Sequence, residues 1–547
     1  MVYAIGLSLI VGACSLYYFF FKNLYLFKSC SIPYLRPWPL VGNMGQVIFG
    51  RTSISEFVKM MYDKYPGAKY IGIYDFHKPV IMLRDPELIK SIAIKHFDIF
   101  SDRRGSIQYD QDPFMSQNLF HLRGDKWRKM RSILSPSFTS SKMKTMFKLI
   151  SDYAVDFTNF LVQLPPEKRV MEAKNVFKCY TTDVIATCAY GISINSMQNP
   201  KNPFYMTAND KTVVKIFNIL NVTINRYLPW LTRILKLKFL DEKVEKFFQD
   251  LVESSIRNRI QNNIVRPDML QLLMESRDRE DNSINLTIED IASHAFSFFF
   301  AGFESSSTLM CFATHEIAGN KNIQRKLQNE IDQVLEDTNG QVSYEAINDM
   351  EYLDVVLKES QRMYPLTALI DRECLAEFEL PPTLIGAKPF TVKKGQGILF
   401  PIYGLHYDPE YFEKPEKFNP DRFLGEQKKH ILNNGVYLPF GLGPKKCIGY
   451  RFALMEIKLL LFHLLARCDL LPCEKTQIPL KFARHNIFLN TEGKLWLKVK
   501  PRENPHHTIV VNAANYTQDL EEHFPGLEDS CVNDSMNIDN KSETKSM

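Results

Sequence analysis

Residues 437–449 read Tyr-Leu-Pro-Phe-Gly-Leu-Gly-Pro-Lys-Lys-Cys-Ile-Gly, and the residue types around Cys447 are those that can hold a thiolate. Gly441, Gly443 and Gly449 lack the Cβ that disfavours positive φ, so the loop can fold tightly and turn backbone N–H groups toward the sulfur. After the loop, Phe452, Met455, Leu459, Leu460, Phe462 and Leu464 are spaced as a mostly buried helix. The positive N-terminal end of that helix would lower the thiol pKa. A thiolate in this place is a nucleophile or a metal ligand, and a structural cysteine beside a glycine turn is the plainer alternative. A nucleophile needs a positioned base, and no nearby histidine supplies one.

A second polar set stands where an apolar helix should not carry it. From the cap-like Thr287-Ile288-Glu289-Asp290 to about Ala318 the pattern predicts one strong helix, apolar at Phe296, Phe298, Phe299 and Phe300. Ala301-Gly302-Phe303-Glu304-Ser305-Ser306-Ser307-Thr308 then introduces a helix-weakening glycine, a carboxylate and four hydroxyls. Hydroxyls there back-bond to the i−4 carbonyl or serve something in a cavity, and the flanking phenylalanines argue against a solvent-facing stripe. Glu359 and Arg362 stand at i, i+3 on a helix predicted over 351–363. Such a pair is an ordinary surface bridge worth under ~1 kcal/mol unless a third group buries it. Arg422, in Phe418-Asn419-Pro420-Asp421-Arg422-Phe423, is the candidate third group, and Arg372 is a further cation after the helix. Trp127 and Arg131 share a helix face at i, i+4, beside a basic patch of Lys126, Arg128, Lys129, Lys142 and Lys144.

The elements that position these groups are mainly helical. Alternation at 69–74 and the run Val80-Ile81-Met82-Leu83 predict one short hairpin, after which helical patterns dominate. The 547 residues are 45% hydrophobic and 12% aromatic, enough for a sizeable core. A net charge of +5 without a long basic run excludes nucleic acid as the main partner. Ten scattered cysteines in a chain this large point to a reducing compartment. Residues 2–21 carry no charge and are long enough to cross a ~30 Å hydrocarbon core. The first cations, Lys22 and Lys28, follow that span, which predicts a signal anchor with the remainder in the cytosol. Pro33, Pro37 and Pro39 make 22–50 a stiff proline-rich hinge, 51–502 form the catalytic body, and 503–547 read as an acidic, disordered tail. The segment 213–240 interleaves apolar residues with Arg226, Arg233, Lys236 and Lys238, suiting either the core or an anionic lipid leaflet.

Taken together, Trp127–Arg131, Ala301–Ser306, Glu359–Arg362, Pro420–Phe423 and Phe440–Gly449 resemble one family in order and spacing. Residues 30–502 are similar to the microsomal cytochromes P-450, the haem-thiolate monooxygenases, and look most like the insect detoxification enzymes among them. The resemblance implies a mainly α fold with small β-sheets (α+β) and Cys447 as axial ligand to the iron of haem b. Phe440, Gly443, Lys445 and Gly449 would be cofactor-binding residues around it, with Trp127, Arg131, Arg372 and Lys445 at the propionates. Glu359, Arg362 and Arg422 would form the buried triad that braces the haem-binding core. The implied reaction inserts one atom of dioxygen into lipophilic substrates, xenobiotics or endogenous lipids and hormones. Glu304 and Ser305 would relay protons. Phe114, Phe120, Phe299, Phe300, Ala301, Leu366, Leu369 and Phe488 would line the pocket. Electrons would come from NADPH through a membrane-bound cytochrome reductase docked on Lys126, Lys129, Lys445 and Lys446, with cytochrome b5 as a further partner. The implied location is the endoplasmic reticulum membrane, with a single-pass anchor and a cytosolic catalytic domain.

Two positions depart from the family's pattern. Lys445 stands where arginine is usual, keeping the charge but losing the bidentate fork, which predicts weaker haem retention. Ser305 stands where threonine is usual; without the γ-methyl its rotamer is freer, which predicts looser proton delivery. Two rival readings are a haem-thiolate isomerase or dehydratase, which needs neither reductase nor relay, and a non-catalytic haem-binding protein, which can dispense with the hydroxyl-rich helix. Glu304, Ser305 and the basic face favour the monooxygenase.

Overall fold

The computed structural model describes residues 24–503 apart from 106, 108, 210–223, 235–237, 267, 278–285, 485 and 487, and outside that range residues 3, 11 and 12. The expected hairpin is present as β1 (Tyr70–Asp75) and β2 (Lys78–Leu83), paired antiparallel with Phe76 in the left-handed region at φ 57°. Two strands from much later in the chain complete this sheet. β3 (Ile370–Glu373) runs antiparallel to β4 (Gly397–Phe400), and β4 runs parallel to β2, giving the order β1-β2-β4-β3. A three-stranded sheet of 170–172, 468–471 and 496–501 stands apart from it.

The stretch expected as a stiff spacer is laid on this sheet from residue 24 onward. Phe27 is fully buried with its ring 5.0 Å from Tyr74, and the Tyr74 N–H donates to Asn43 Oδ1 at 2.7 Å. Burial of Phe27 and Ile32 decides this, since each large apolar side chain removed from water contributes about 1.5–3 kcal/mol. Proline stiffness does not oppose it.

Five helices carry the site: α1 (Gly124–Leu134), α2 (Ala173–Ile185), α3 (Ile288–Gly319), α4 (Glu351–Met363) and α5 (Tyr450–Arg467). The 32-residue α3 starts as the sequence predicts. Thr287 Oγ1 accepts the Asp290 N–H at 3.1 Å while the Asp290 carboxylate accepts the Thr287 N–H at 2.9 Å. Packing against α2, α4 and α5 then buries most of its surface. α5 is apolar almost all round and sits between the helices 140–163 and 321–337. The proposed anchor at 2–21 lies outside the described residues except for 3, 11 and 12, as does the tail beyond Glu503. No helix among the described residues is long and apolar enough to cross a membrane.

Candidate active site around Cys447

The Cys447 N–H donates to the Phe440 carbonyl at 2.9 Å, and the Gly449 N–H donates to the Cys447 sulfur. Gly441 and Gly443 take φ of 78° and 73°. A Cβ on Gly443 would stand 2.1 Å from the Ala93 carbonyl oxygen, so no larger residue fits there. Gly449 differs, with φ −88° and room for a Cβ, so its contribution is the N–H rather than a left-handed backbone. Cys447 retains accessible surface although protein atoms enclose it, which means that the sulfur faces an internal space. Burial pushes the thiol up and outweighs the Gly449 N–H and the charges of Arg131, Arg103 and Lys446. That corrects the lowered pKa expected from the helix end alone. A metal cation at the sulfur would supply the missing compensation.

Cations gather around the same space. Arg131 projects from α1, and burial lowers its pKa while the Cys447 sulfur opposes the shift. Arg372, on β3, is 2% exposed, and burial together with Arg103 pushes it down to about 10. Lys445 is pushed down to about 7, first by burial and then by Arg103. Its ammonium lies 4.6 Å from the Trp127 ring centre. At 6% exposure Lys445 is unavailable to a docking partner, so the expected basic face keeps Lys126 and Lys129, which are exposed, and the half-buried Lys446. The neighbouring carboxylates are engaged elsewhere. Asp102 and Glu373 pair with Arg123 at 3.0 and 2.6 Å, and Asp371 pairs with Arg226 at 3.4 Å. Arg103 was not singled out from the sequence, yet burial and Arg131 lower its pKa while Cys447 and Asp371 raise it, which puts it in the same group.

The triad forms beneath the loop. Glu359 and Arg362 are fully buried and doubly bonded at 2.7 and 2.8 Å, and the Arg422 Nε donates to Glu359 Oε1 at 3.1 Å. The remaining donors are also met: Arg362 Nη1 reaches the His406 carbonyl at 2.8 Å and Arg422 Nη1 the Glu413 carbonyl at 2.9 Å. His406 carries the brace onward. Its Nε2 accepts the Leu438 N–H at 2.9 Å, so Nδ1 holds the proton and donates to the Arg362 carbonyl at 3.1 Å. Burial and Arg362 push that imidazole down to about 3, so it stays neutral.

On the other side, α3 is continuous through Gly302. A Cβ there would stand 2.6 Å from Ile185, so the glycine permits close contact with α2 rather than breaking the helix. Ser297, Ala301, Ser305 and Leu309 keep accessible surface at steps of four residues, marking an open stripe along the middle of the helix, with Phe300, Gly302 and Glu304 partly accessible beside it. The Ser305 hydroxyl donates to the Ala301 carbonyl. Glu304 turns to α2 instead, pairing with Lys174 at 2.9 Å and Lys178 at 3.1 Å. Burial pushes its carboxyl up, but the two ammonium groups prevail and hold it below the ordinary range.

The cytochrome P450 family profile matches residues 32–499. The chain is 40% identical over 508 residues to cytochrome P450 9e2 of Blattella germanica, covering 87% of this chain and 94% of that protein. It is 37% identical to probable cytochrome P450 9f2 of Drosophila melanogaster, covering 90% and 98%, and 35% identical to cytochrome P450 3A18 of Rattus norvegicus, covering 90% and 97%. The chain belongs to the cytochrome P450 family. It is a haem-thiolate monooxygenase.

The residues present in this P450 fit a haem. An enclosed sulfur, buried cations whose neighbouring carboxylates are engaged elsewhere, and an open helix stripe suit an iron centre with two carboxylate side arms. The pocket expectations divide. Phe300 and Ala301 stand on or beside the stripe, and Phe120 is 54% exposed. Thr367 and Phe488 form a β-bridge and the Leu489 N–H donates to the Leu366 carbonyl at 2.9 Å, so Leu366 and Phe488 lie together, while Leu369 is partly buried against the core beside the first sheet. Two residues offer almost no surface to a ligand. Phe299 is sealed among Phe204, Phe248 and Phe303, and Phe114 is 4% exposed and packs on Phe296.

Proposed function

We propose that Cys447 is the axial thiolate of this P450 and that Arg103, Arg131, Arg372 and Lys445, with Trp127 packed on Lys445, hold the propionates. When bound, the haem supplies iron-centred activation of dioxygen. The protein's own groups shield the sulfur, orient the substrate and meter protons. Ser305 Oγ, turned away from the Ala301 carbonyl, presents its proton to the internal space. Glu304 is ionised while Lys174 and Lys178 hold it; once one of them lets go, the carboxylate can take up a proton from solvent and pass it on to Ser305. The substrates are lipophilic xenobiotics or endogenous lipids, held by Phe120, Phe300, Ala301, Leu366, Leu369 and Phe488. Leu228, Trp230 and Ile234 are 36%, 56% and 70% exposed around the short helix 229–234, which suits a surface resting on the endoplasmic reticulum membrane beside the 2–21 anchor. The NADPH–cytochrome reductase docks on the face of Lys126, Lys129 and Lys446, where cytochrome b5 is the second candidate partner.

The carrying observation is the convergence of the Cys447 sulfur with these cations on one enclosed space. The reduced, carbon monoxide-bound protein is expected to absorb near ~450 nm, the signature of thiolate ligation. Cys447→Ala should abolish the band; its persistence would assign the ligand elsewhere.

A further inference from the structure

His121 lies in the segment that leads from the short helix 113–116 into α1. The Ile107 N–H donates to His121 Nδ1 at 3.3 Å. A ring nitrogen that accepts carries no proton, so in the neutral imidazole the proton sits on Nε2. Burial and then the Arg103 guanidinium push this ring down to about 3, which keeps one tautomer across the working pH range. Nε2–H has no hydrogen-bond partner among the described residues, and it is not sealed among apolar atoms either. His121 keeps partial surface although protein atoms surround it, the same combination that marks Cys447. Its neighbours lead to the site. The Phe120 ring meets the imidazole edge-on at 5.1 Å, and the Arg103 guanidinium lies 3.9 Å over Phe120 while its charge reaches Cys447.

We propose that His121 Nε2–H is a specificity-determining donor that binds a carbonyl, ester or ether oxygen on lipophilic substrates. The enzyme would then prefer acceptor-bearing molecules to hydrocarbons of the same size. A donor in an apolar site rejects an analogue without an acceptor because the donor is left unpaired, at a cost that exceeds one missing apolar contact. This rests on the reading of the Cys447 space as the substrate cavity.

Binding spectra of the holo-protein test it with a long-chain methyl ketone and the n-alkane of equal length, corrected for solubility. The wild type should bind the ketone about tenfold more tightly. In His121→Asn the side-chain oxygen still accepts the Ile107 N–H while the donor at the Nε2 position is lost. The ketone should weaken about tenfold and the alkane stay unchanged. In His121→Gln the amide nitrogen falls near the Nε2 position and the preference should persist. A preference that survives in His121→Asn, or equal weakening of both probes in both variants, overturns the proposal. Absence of any spectral shift with either probe in the wild type overturns the cavity reading itself, and the proposal with it.

Discussion

Two clusters of buried charge flank the Cys447 loop on opposite plans. In the Glu359, Arg362 and Arg422 cluster each guanidinium finds the carboxylate or a carbonyl, and Asn419 adds its N–H to Glu359 Oε1 at 2.9 Å. In the cluster of Arg103, Arg131, Arg372 and Lys445 burial lowers every one of the four cations, while Arg123 and Arg226 engage the nearby carboxylates. The first cluster is completed by the chain itself. The second would be completed by the haem propionates proposed above. Buried charge that the protein neutralises braces a fold, whereas buried charge that it leaves in excess marks a binding site.

The comparison breaks most visibly at its self-completed half. Glu359→Gln leaves two guanidinium groups, 0% and 5% exposed, facing a neutral amide. Removing one partner of a buried ion pair costs about 3–5 kcal/mol, much of the stability of an ordinary domain. The expected outcome is a large fall in the urea midpoint and loss of the ~450 nm band, because His406 transmits the brace to Leu438 beside the loop. A midpoint close to wild type would show that the triad is ornamental.

The open half answers to pH. Before an anion binds, Lys445 titrates at about 7, lowered from the usual lysine value by burial and by Arg103. A propionate beside it raises that pKa, so haem binding takes up a proton above pH 7. Retention should therefore weaken as pH rises from about 7, by at most roughly tenfold per unit for one proton. Lys445→Arg should flatten the dependence because a guanidinium keeps its charge. Haem transfer to a scavenging apoprotein at pH 7 and pH 8.5 measures it. A flat wild-type profile would place Lys445 away from the propionates.

Local pattern made part of this architecture readable. The β1–β2 hairpin followed from alternation, the start of α3 from its capping box, and the Glu359–Arg362 pair from i, i+3 spacing. What stayed hidden depends on contacts distant in sequence. His406 joins Arg362 to Leu438, Lys174 and Lys178 reach Glu304 from another helix, and Arg103 sits in a loop without period. The pocket side of α3 was hidden for a different reason. Neighbouring residues on a helix point about 100° apart, so apolar character alone cannot tell that Phe299 faces the core while Ala301 faces the open space. Lys445 was placed at both the haem and the docking face because sequence reveals a charge but not its burial.

The smallest expected effect lies at Ser305, which stands between the two plans. Its hydroxyl is satisfied by the protein while it donates to Ala301, and open to the site once it rotates away. Threonine makes the same back-bond, but its γ-methyl restricts χ1 and so limits unproductive rotamers. With Glu304 tethered by Lys174 and Lys178, the rotamer at 305 is the freer part of the relay. Ser305→Thr should therefore raise product formed per NADPH consumed, with a matching fall in released hydrogen peroxide. The gain should be about twofold or less, since a χ1 restriction is worth a fraction of a kcal/mol. An unchanged ratio would mean that the Glu304 tether, rather than the freedom of Ser305, governs proton supply, and Lys178→Met would then become the variant that moves it.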